Sequence, residues 1–201
     1  MDRHLTPRGK DRRQQLMDFA ARRFAANGYH PTSVAEIVAG MGVGKGVFYW
    51  YFSSKEELFL EILREAQQDL RRTQQQAIDG VDDPVRRIEL GIQASMKWSS
   101  AHPELYNLFA FAATEERFAP ALRKGQEVAV ADVMRHVQEG IDRGEIRAGD
   151  PNVIAHAILG VTSHLARRFI HEQGQPWQDV ADAAVAFCLE GLLVPSAVTS
   201  A

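Results

Sequence analysis

The chain has 201 residues, 45% of them hydrophobic and 24% charged, ordinary globular values that exclude a fibrous or intrinsically disordered protein. Its net charge of -3 hides an asymmetry: residues 1–55 hold nine Lys/Arg against four Asp/Glu, a net of +5, which leaves -8 for the remainder, so a basic head suited to a polyanion sits on an acidic body. No apolar run is long enough to span a bilayer, no apolar segment follows the charged N-terminus "MDRHLTPRGKDRRQQ", and the single Cys188 lies in an apolar helical pattern; a cytoplasmic chain with a buried thiol and no membrane span is expected.

Nearly every segment repeats its apolar residues with a 3.6-residue period, and none alternates long enough to argue a strand; the expectation is an all-α fold of about nine helices. The first is predicted from Lys10 to Ala26, with Leu16, Ala20 and Phe24 on one face and Asn27-Gly28 as its stop. "PTSVAEIVAGMG" reads as a short second helix capped by Thr32 or Ser33, with Ser33 and Glu36 at capping-box spacing and Gly40 and Gly42 closing it. The third begins after Gly44. A fourth starts at "SSKEELFLEIL", where Ser53 or Ser54 caps ahead of Glu56 and Glu57, and Leu58, Ile62 and Ala66 form its buried stripe.

Near Asp79, "DGVDDP" ends the fourth helix and supplies Pro84 as the first residue of the next, marked by Val85, Ile88 and Ile92. "AHPEL" breaks that helix at Pro103, after which Leu105, Leu108, Phe109 and Ala112 recur at helical spacing. A longer helix carries Val130, Val133, Met134, Val137 and Ile141 up to Gly144. The last two are the most apolar: one from about Asn152 to Glu172 and, after "GQP", one carrying Trp177, Val180, Ala184, Cys188 and Leu192 in register.

The segment "GVGKGVFYWYFSSKEEL" from Gly42 sets five aromatics in a row. At about 100° per residue, Val47, Phe48, Tyr51 and Phe52 fall in a sector that packs inward, while Lys45, Gly46, Tyr49 and Trp50 fall in the other. The outer sector offers a cation, a phenol, an indole N–H and bare glycine backbone with no carboxylate, which suits phosphate. A protein interface is the competing use of Tyr49 and Trp50. Two short helices joined by a tight glycine-containing turn, the second with an exposed polar face, make a helix-turn-helix at about 33–52.

From Arg12 to Leu63 the sequence resembles the TetR-type transcriptional repressors, whose N-terminal pattern "LMDFAARRFAANGYHPTSVAEIVAGMGVGKGVFYWYFSSKEELFLEIL" follows nearly position by position. The resemblance implies a three-helix DNA-binding domain over 1–55, a divergent effector-binding and dimerisation domain over 56–201, and a homodimer acting on a double-stranded operator. It would place Lys45, Gly46 and Val47 toward bases, Tyr49 and Trp50 toward phosphates, and Thr32 or Ser33 and Lys55 toward the flanking backbone. Gly44 stands where a serine or threonine cap is usual, and Phe19 and Arg23 stand where a small and an apolar residue are usual. The early Arg/Lys cluster is either a solvated helix face or, ahead of the first helix, an arm in which Arg8 and Lys10 reach phosphate or the minor groove.

In the body, none of His102, His136, His156, His164 and His171 makes the His-x3-His spacing of a metal pair, and neither a phosphate loop nor a nucleophile elbow is present; no metal, no cofactor and no enzyme activity are expected. Aromatic and methionine positions on the middle helices make Met96, Trp98, Tyr106, Phe109 and Met134 the candidate lining of a small-molecule effector pocket. The apolar final hairpin predicts dimerisation as a four-helix bundle, with Leu165, Phe169, Val185 and Leu189 at the seam. Three functions compete: a repressor released from a pseudo-palindromic operator by an apolar or amphipathic effector, a regulator that senses nothing and acts through a partner or its own abundance, and, distantly, a helical enzyme.

Overall fold

A computed structural model describes residues 6–193 of the chain. Among the described residues there are nine α-helices, joined by short turns. They form two compact units, one of residues up to Gln67 together with Glu104–Arg123, the other of Gln68–Pro103 together with residues from Lys124 onward.

In the first unit α1 spans Pro7–Asn27, three residues earlier at its start than the apolar period suggests. Thr6 is the reason: its side chain accepts from the Gly9 N–H at 3.2 Å, and Pro7 occupies the first helical position, where its missing N–H costs nothing. Arg8 and Lys10 therefore stand in the first turn of α1 rather than on an arm ahead of it, while Arg3 lies outside the described residues. Gly28, at φ 87°, ends the helix by returning its N–H to the Phe24 carbonyl.

Helix α2 spans Val34–Gly40 and is capped by Ser33, whose hydroxyl accepts from the Glu36 N–H at 3.1 Å. Thr32 has a different task. Fully buried, it donates its hydroxyl to the Gly28 carbonyl at 2.8 Å and closes the loop between α1 and α2. The two unusual residues of α1 both face α2: Arg23 pairs with Glu36, which also accepts from Asn27 at 3.1 Å, and the Phe19 ring fills the space that a side chain on Gly40 would need. A Cβ on Gly40 would lie 2.3 Å from Phe19 Cζ, so the phenylalanine depends on the glycine.

Helix α3 spans Lys45–Tyr51 and α4 spans Lys55–Ala77. Ser54 accepts from the Glu57 N–H at 3.0 Å, and the Glu57 carboxylate accepts from the Ser53 N–H at 2.6 Å, so the start of α4 is closed from both sides. Arg13 of α1 ties the helices together by donating to Glu61 at 2.6 Å and Glu65 at 2.8 Å while lying 5.1 Å above the Phe52 ring. Helix α6, Pro103–Thr114, and the start of α7, Ala119–Asp142, complete this unit's core. At its centre the Phe59 ring meets Phe24, Tyr29, Phe111 and Phe118 at centroid separations of 4.5 to 5.8 Å.

The second unit contains α5, Pro84–Ala101, capped by Asp83; α8, Pro151–Leu165, capped by Asp150; and α9, Trp177–Leu192. Its core gathers Ile88, Ile92, Met96, Val137, Ile158 and, from α9, Ala181, Ala184 and Cys188. Burial raises the pKa of the Cys188 thiol, as befits a packing residue. The long penultimate helix expected from the sequence does not stay α-helical: after Leu165 it widens into a π segment over Ala166–His171. Each π turn takes up an extra residue, so Ala166 and Ile170 turn into the core and the 3.6-residue register slips.

Candidate nucleic-acid interface

The turn before α3 is set by Gly42, whose φ of 66° a side-chain-bearing residue rarely adopts, and by the Val43 N–H, which donates to the Val38 carbonyl at 2.9 Å. Gly44 is the N-cap of α3 and supplies no side-chain bond, so the first N–H groups of α3 are not capped by a side chain. Phe48 and Phe52 are buried and anchor the helix, with Val47 and Tyr51 half-buried beside them. Tyr49, 56% exposed, and Trp50, 48% exposed, face outward with Lys45 and Gly46. A Cβ added at Gly46 would meet nothing of this chain, so the outer backbone of α3 is open to close approach. Two large aromatics held outward on a helix anchored by two buried rings form a rigid presenting surface.

Of the other residues expected here, Ser33 is exposed and engaged in capping α2. Thr32 does not present its hydroxyl. Lys55 is occupied inside its own chain: Nζ donates to the carbonyls of Tyr29 at 2.8 Å, Thr32 at 2.9 Å and His30 at 3.3 Å, and stands 4.3 Å from the centre of the Tyr29 ring. These bonds span more than twenty residues of sequence, which is why a local motif does not reveal them. Lys55→Ala is accordingly expected to lower stability by about 1.5 kcal/mol, the lower end for hydrogen bonds to a charged donor because the site is partly solvated. The slope of DNA affinity against salt should stay unchanged. Urea denaturation and DNA titrations at several salt concentrations check both halves.

The fold is similar to that of solved structures. It is similar to the crystal structure of a TetR-family transcriptional regulator from Syntrophomonas wolfei, with a TM-score of 0.80 over 93% of this chain and 99% of that one, at 21% identity. Residues 16–62, which contain most of α1, all of α2 and α3 and the start of α4, match the family of bacterial regulatory proteins described as tetR. By this match residues 16–62 belong to the TetR N-terminal family. Among relatives of this chain, the transcriptional activator FasR of Mycolicibacterium smegmatis is 27% identical over 185 residues, 90% of this chain and 83% of FasR. The transcriptional repressor KstR2 of Mycobacterium tuberculosis is 33% identical over 91 residues, 45% of this chain and 46% of KstR2. The family and these relatives are transcriptional regulators, not enzymes, and the chain is a DNA-binding transcriptional regulator. No helix among the described residues is long and apolar enough to cross a membrane.

In the second unit, helices α4, α5, α7 and α8 line a cavity of about 410 Å³ that is partly open to solvent. None of the five expected pocket residues lines it. Met96 is closed into the core; Trp98 is buried and donates its indole N–H to Asp69 at 2.8 Å; Met134 is half-buried on α7. Tyr106 and Phe109 belong to α6 in the first unit, where Phe109 packs against that unit's core. The cavity wall is instead marked by Arg71, Gln74, Asp132 and His136, residue types that amphipathic helices ordinarily turn to solvent. The expected seam residues Leu165, Phe169, Val185 and Leu189 are half-buried and pack against their own chain's core.

Burial sets the charge state of two body histidines. His136 and His171 both have pKa values lowered by desolvation, helped in His136 by Arg87 and Arg135 against Glu139 and Asp132. Held neutral in the fold but protonated near the ordinary value of about 6.5 when unfolded, they add stability that is complete above that pH and is lost as pH falls below it. Melting temperature should therefore decline from pH 7 to pH 5, and His136→Gln should flatten the decline.

Proposed function

We propose that this chain is a repressor: two protomers place α3 in successive major grooves of a pseudo-palindromic operator, and a small apolar or amphipathic effector releases them. The outward face of α3, with its cation, phenol, indole and open glycine backbone and no carboxylate on the helix, is the single observation that supports the reading. Lys45, Gly46 and Val47, at the N-terminal end of α3, meet base edges. Tyr49 and Trp50 donate to phosphates, and Ser33 stands toward the flanking backbone. Thr32 and Lys55 act from behind, fixing the loop that carries α2. Selection of bound sequences from a random duplex pool should return two inverted half-sites spaced by about one helical turn or somewhat more. Retention of the pool without enrichment would refute the reading.

The dimer forms through the exposed face of the α8–α9 hairpin. Phe187 is 69% exposed and Val153 62%, flanked by Ala157, Gly160, Ala183 and Gly191, small residues that let helices approach closely. A Cβ on Gly160 or Gly191 would meet nothing of this chain. An isologous pairing of this face buries the phenylalanine of each protomer. Phe187→Asp should shift sedimentation equilibrium toward the 22.4 kDa protomer and weaken operator binding, with little change in the protomer's own fold. Wild-type behaviour in both assays would remove the face from the interface.

The effector occupies the cavity of the second unit. Helix α4 runs unbroken from Lys55 to Ala77 and contributes residues to both units, so a ligand held against Arg71 and Gln74 acts on the element that carries Lys55 and Phe59. Release requires the ligand to prefer the state that does not bind DNA. Operator and effector should then weaken one another by the same factor, about 5- to 150-fold for typical coupling. Activation is the second reading, favoured by the relative named an activator, and a promoter fusion decides the sign.

A further inference from the structure

We infer that the cavity in the second unit takes an organic anion, a carboxylate or similar acidic head on an apolar body, rather than a neutral or cationic molecule; the inference rests on the reading of that unit as the ligand-binding part. On one side of the cavity Asp132 accepts from Arg71 through Nε at 2.6 Å and Nη2 at 3.1 Å, and also pairs with Arg135 of its own helix. Two guanidinium groups thus share one carboxylate. One positive charge is left in excess, and each guanidinium keeps N–H groups beyond those given to Asp132. Burial works against the charge on Asp132, yet hydrogen bonds from Arg71 and Arg135 hold its carboxyl below the usual range, so the group is ionised and the count stands.

The third arginine on the wall contributes nothing to this excess. Arg87 is consumed by Glu139 at 2.7 Å and by the carbonyls of Val81 at 2.6 Å and Asp82 at 3.1 Å. Asp79, the other wall carboxylate, lies beyond the end of α4 and is exposed to solvent, where its charge is screened. Beside the polar Gln74, Gln75, Ser95 and Thr162, the wall carries an aliphatic stretch of Ile88 and Ile92 of α5, Val133 of α7 and Ile158 and Leu159 of α8. His136 borders the same space as a neutral imidazole and offers a ring N–H to a ligand oxygen. An acidic head therefore meets the Arg71–Arg135 pair, competing with Asp132, while its body covers the aliphatic wall; the volume is that of an ordinary small-molecule site.

The test compares matched probes on the full-length protein by calorimetric titration: decanoate against decanol and decylamine, and 4-phenylbutyrate against its alcohol and amine. At least one carboxylate should bind roughly tenfold or more tighter than its alcohol, and its amine weaker still. Arg135→Gln, at an exposed position, should remove most of that preference, and Asp132→Asn should strengthen carboxylate binding by taking away the competing acceptor. Tighter binding of an amine, equal binding of acid and alcohol, or no binding of either carboxylate would overturn the assignment. Repeating the titration with operator DNA present separates the two readings: a carboxylate that binds with the same affinity with and without DNA keeps the ligand class and sinks the effector role. An amine that binds and releases DNA does the reverse.

Discussion

Tyr49→Phe is expected to lower operator affinity by about 10²- to 10⁴-fold while leaving stability unchanged to within about 0.5 kcal/mol. The phenol is outside the core, and its ring rests edge-on against Phe48 at 5.2 Å, a contact that phenylalanine keeps. Only the hydroxyl donor is removed. A hydrogen bond to a charged acceptor contributes about 1.5 to 3 kcal/mol, and in a dimer the loss occurs twice, hence about 3 to 6 kcal/mol of binding. Because the proposed partner is a phosphate, every sequence should be weakened alike, whereas substitutions at Val47 should change which base is preferred. Competition titrations against a panel of single-base operator variants distinguish the two. An unchanged affinity for Tyr49→Phe would detach α3's outer face from DNA.

The second large effect concerns the first unit's core. Phe59→Ala is expected to cost about 3 to 5 kcal/mol, because the side chain is fully buried and four aromatic rings from α1, its following loop and α6–α7 close around it. Collapse of those rings into the space is limited, since Tyr29 is also held by Phe111 at 5.6 Å and by the Lys55 ammonium. DNA binding should fall with stability, as Phe48 and Phe52, which anchor α3, belong to the same core cluster. Calorimetric unfolding of the variant checks the loss, and a shift worth less than about 1 kcal/mol would mean that the ring cluster is not what holds the unit together.

The parts of the fold that were legible from sequence are those decided within a few residues. Ser33 with Glu36, a cap at Ser53 or Ser54, the glycine stops at Gly28 and Gly42, and the sorting of the five aromatics into Phe48 and Phe52 inside against Tyr49 and Trp50 outside all follow from caps, backbone freedom and helical angle. The start of α1 was within reach of the same rules, since Thr6-Pro7 is a cap followed by a proline at the first helical position. What stayed hidden depends on partners far along the chain. Phe19 makes sense only against Gly40, Arg23 only against Glu36, and Lys55 only against carbonyls of the α1–α2 loop.

The body was harder for two further physical reasons. Aromatic and methionine residues mark apolar volume without saying whether it is filled, and Met96 and Trp98 went into packed positions. The cavity instead is bordered by polar residues such as Arg71, Asp132 and His136, brought together from α4 and α7. Along the penultimate helix, counting at 3.6 residues per turn stops where the chain widens into the π segment. On α9 the half-buried Val185 and Leu189 hold the chain's own core while Phe187 points away from it.

The most direct measurement is the salt dependence of affinity for the selected operator and for a scrambled duplex of the same length and composition. The operator is expected to be bound at least about 10³-fold more tightly at physiological salt, and log K for both to fall linearly with log salt, with a slope set by the phosphates neutralised. Lys55→Ala should leave that slope unchanged. Equal affinity for the two duplexes at every salt concentration would contradict the claim that α3 reads DNA.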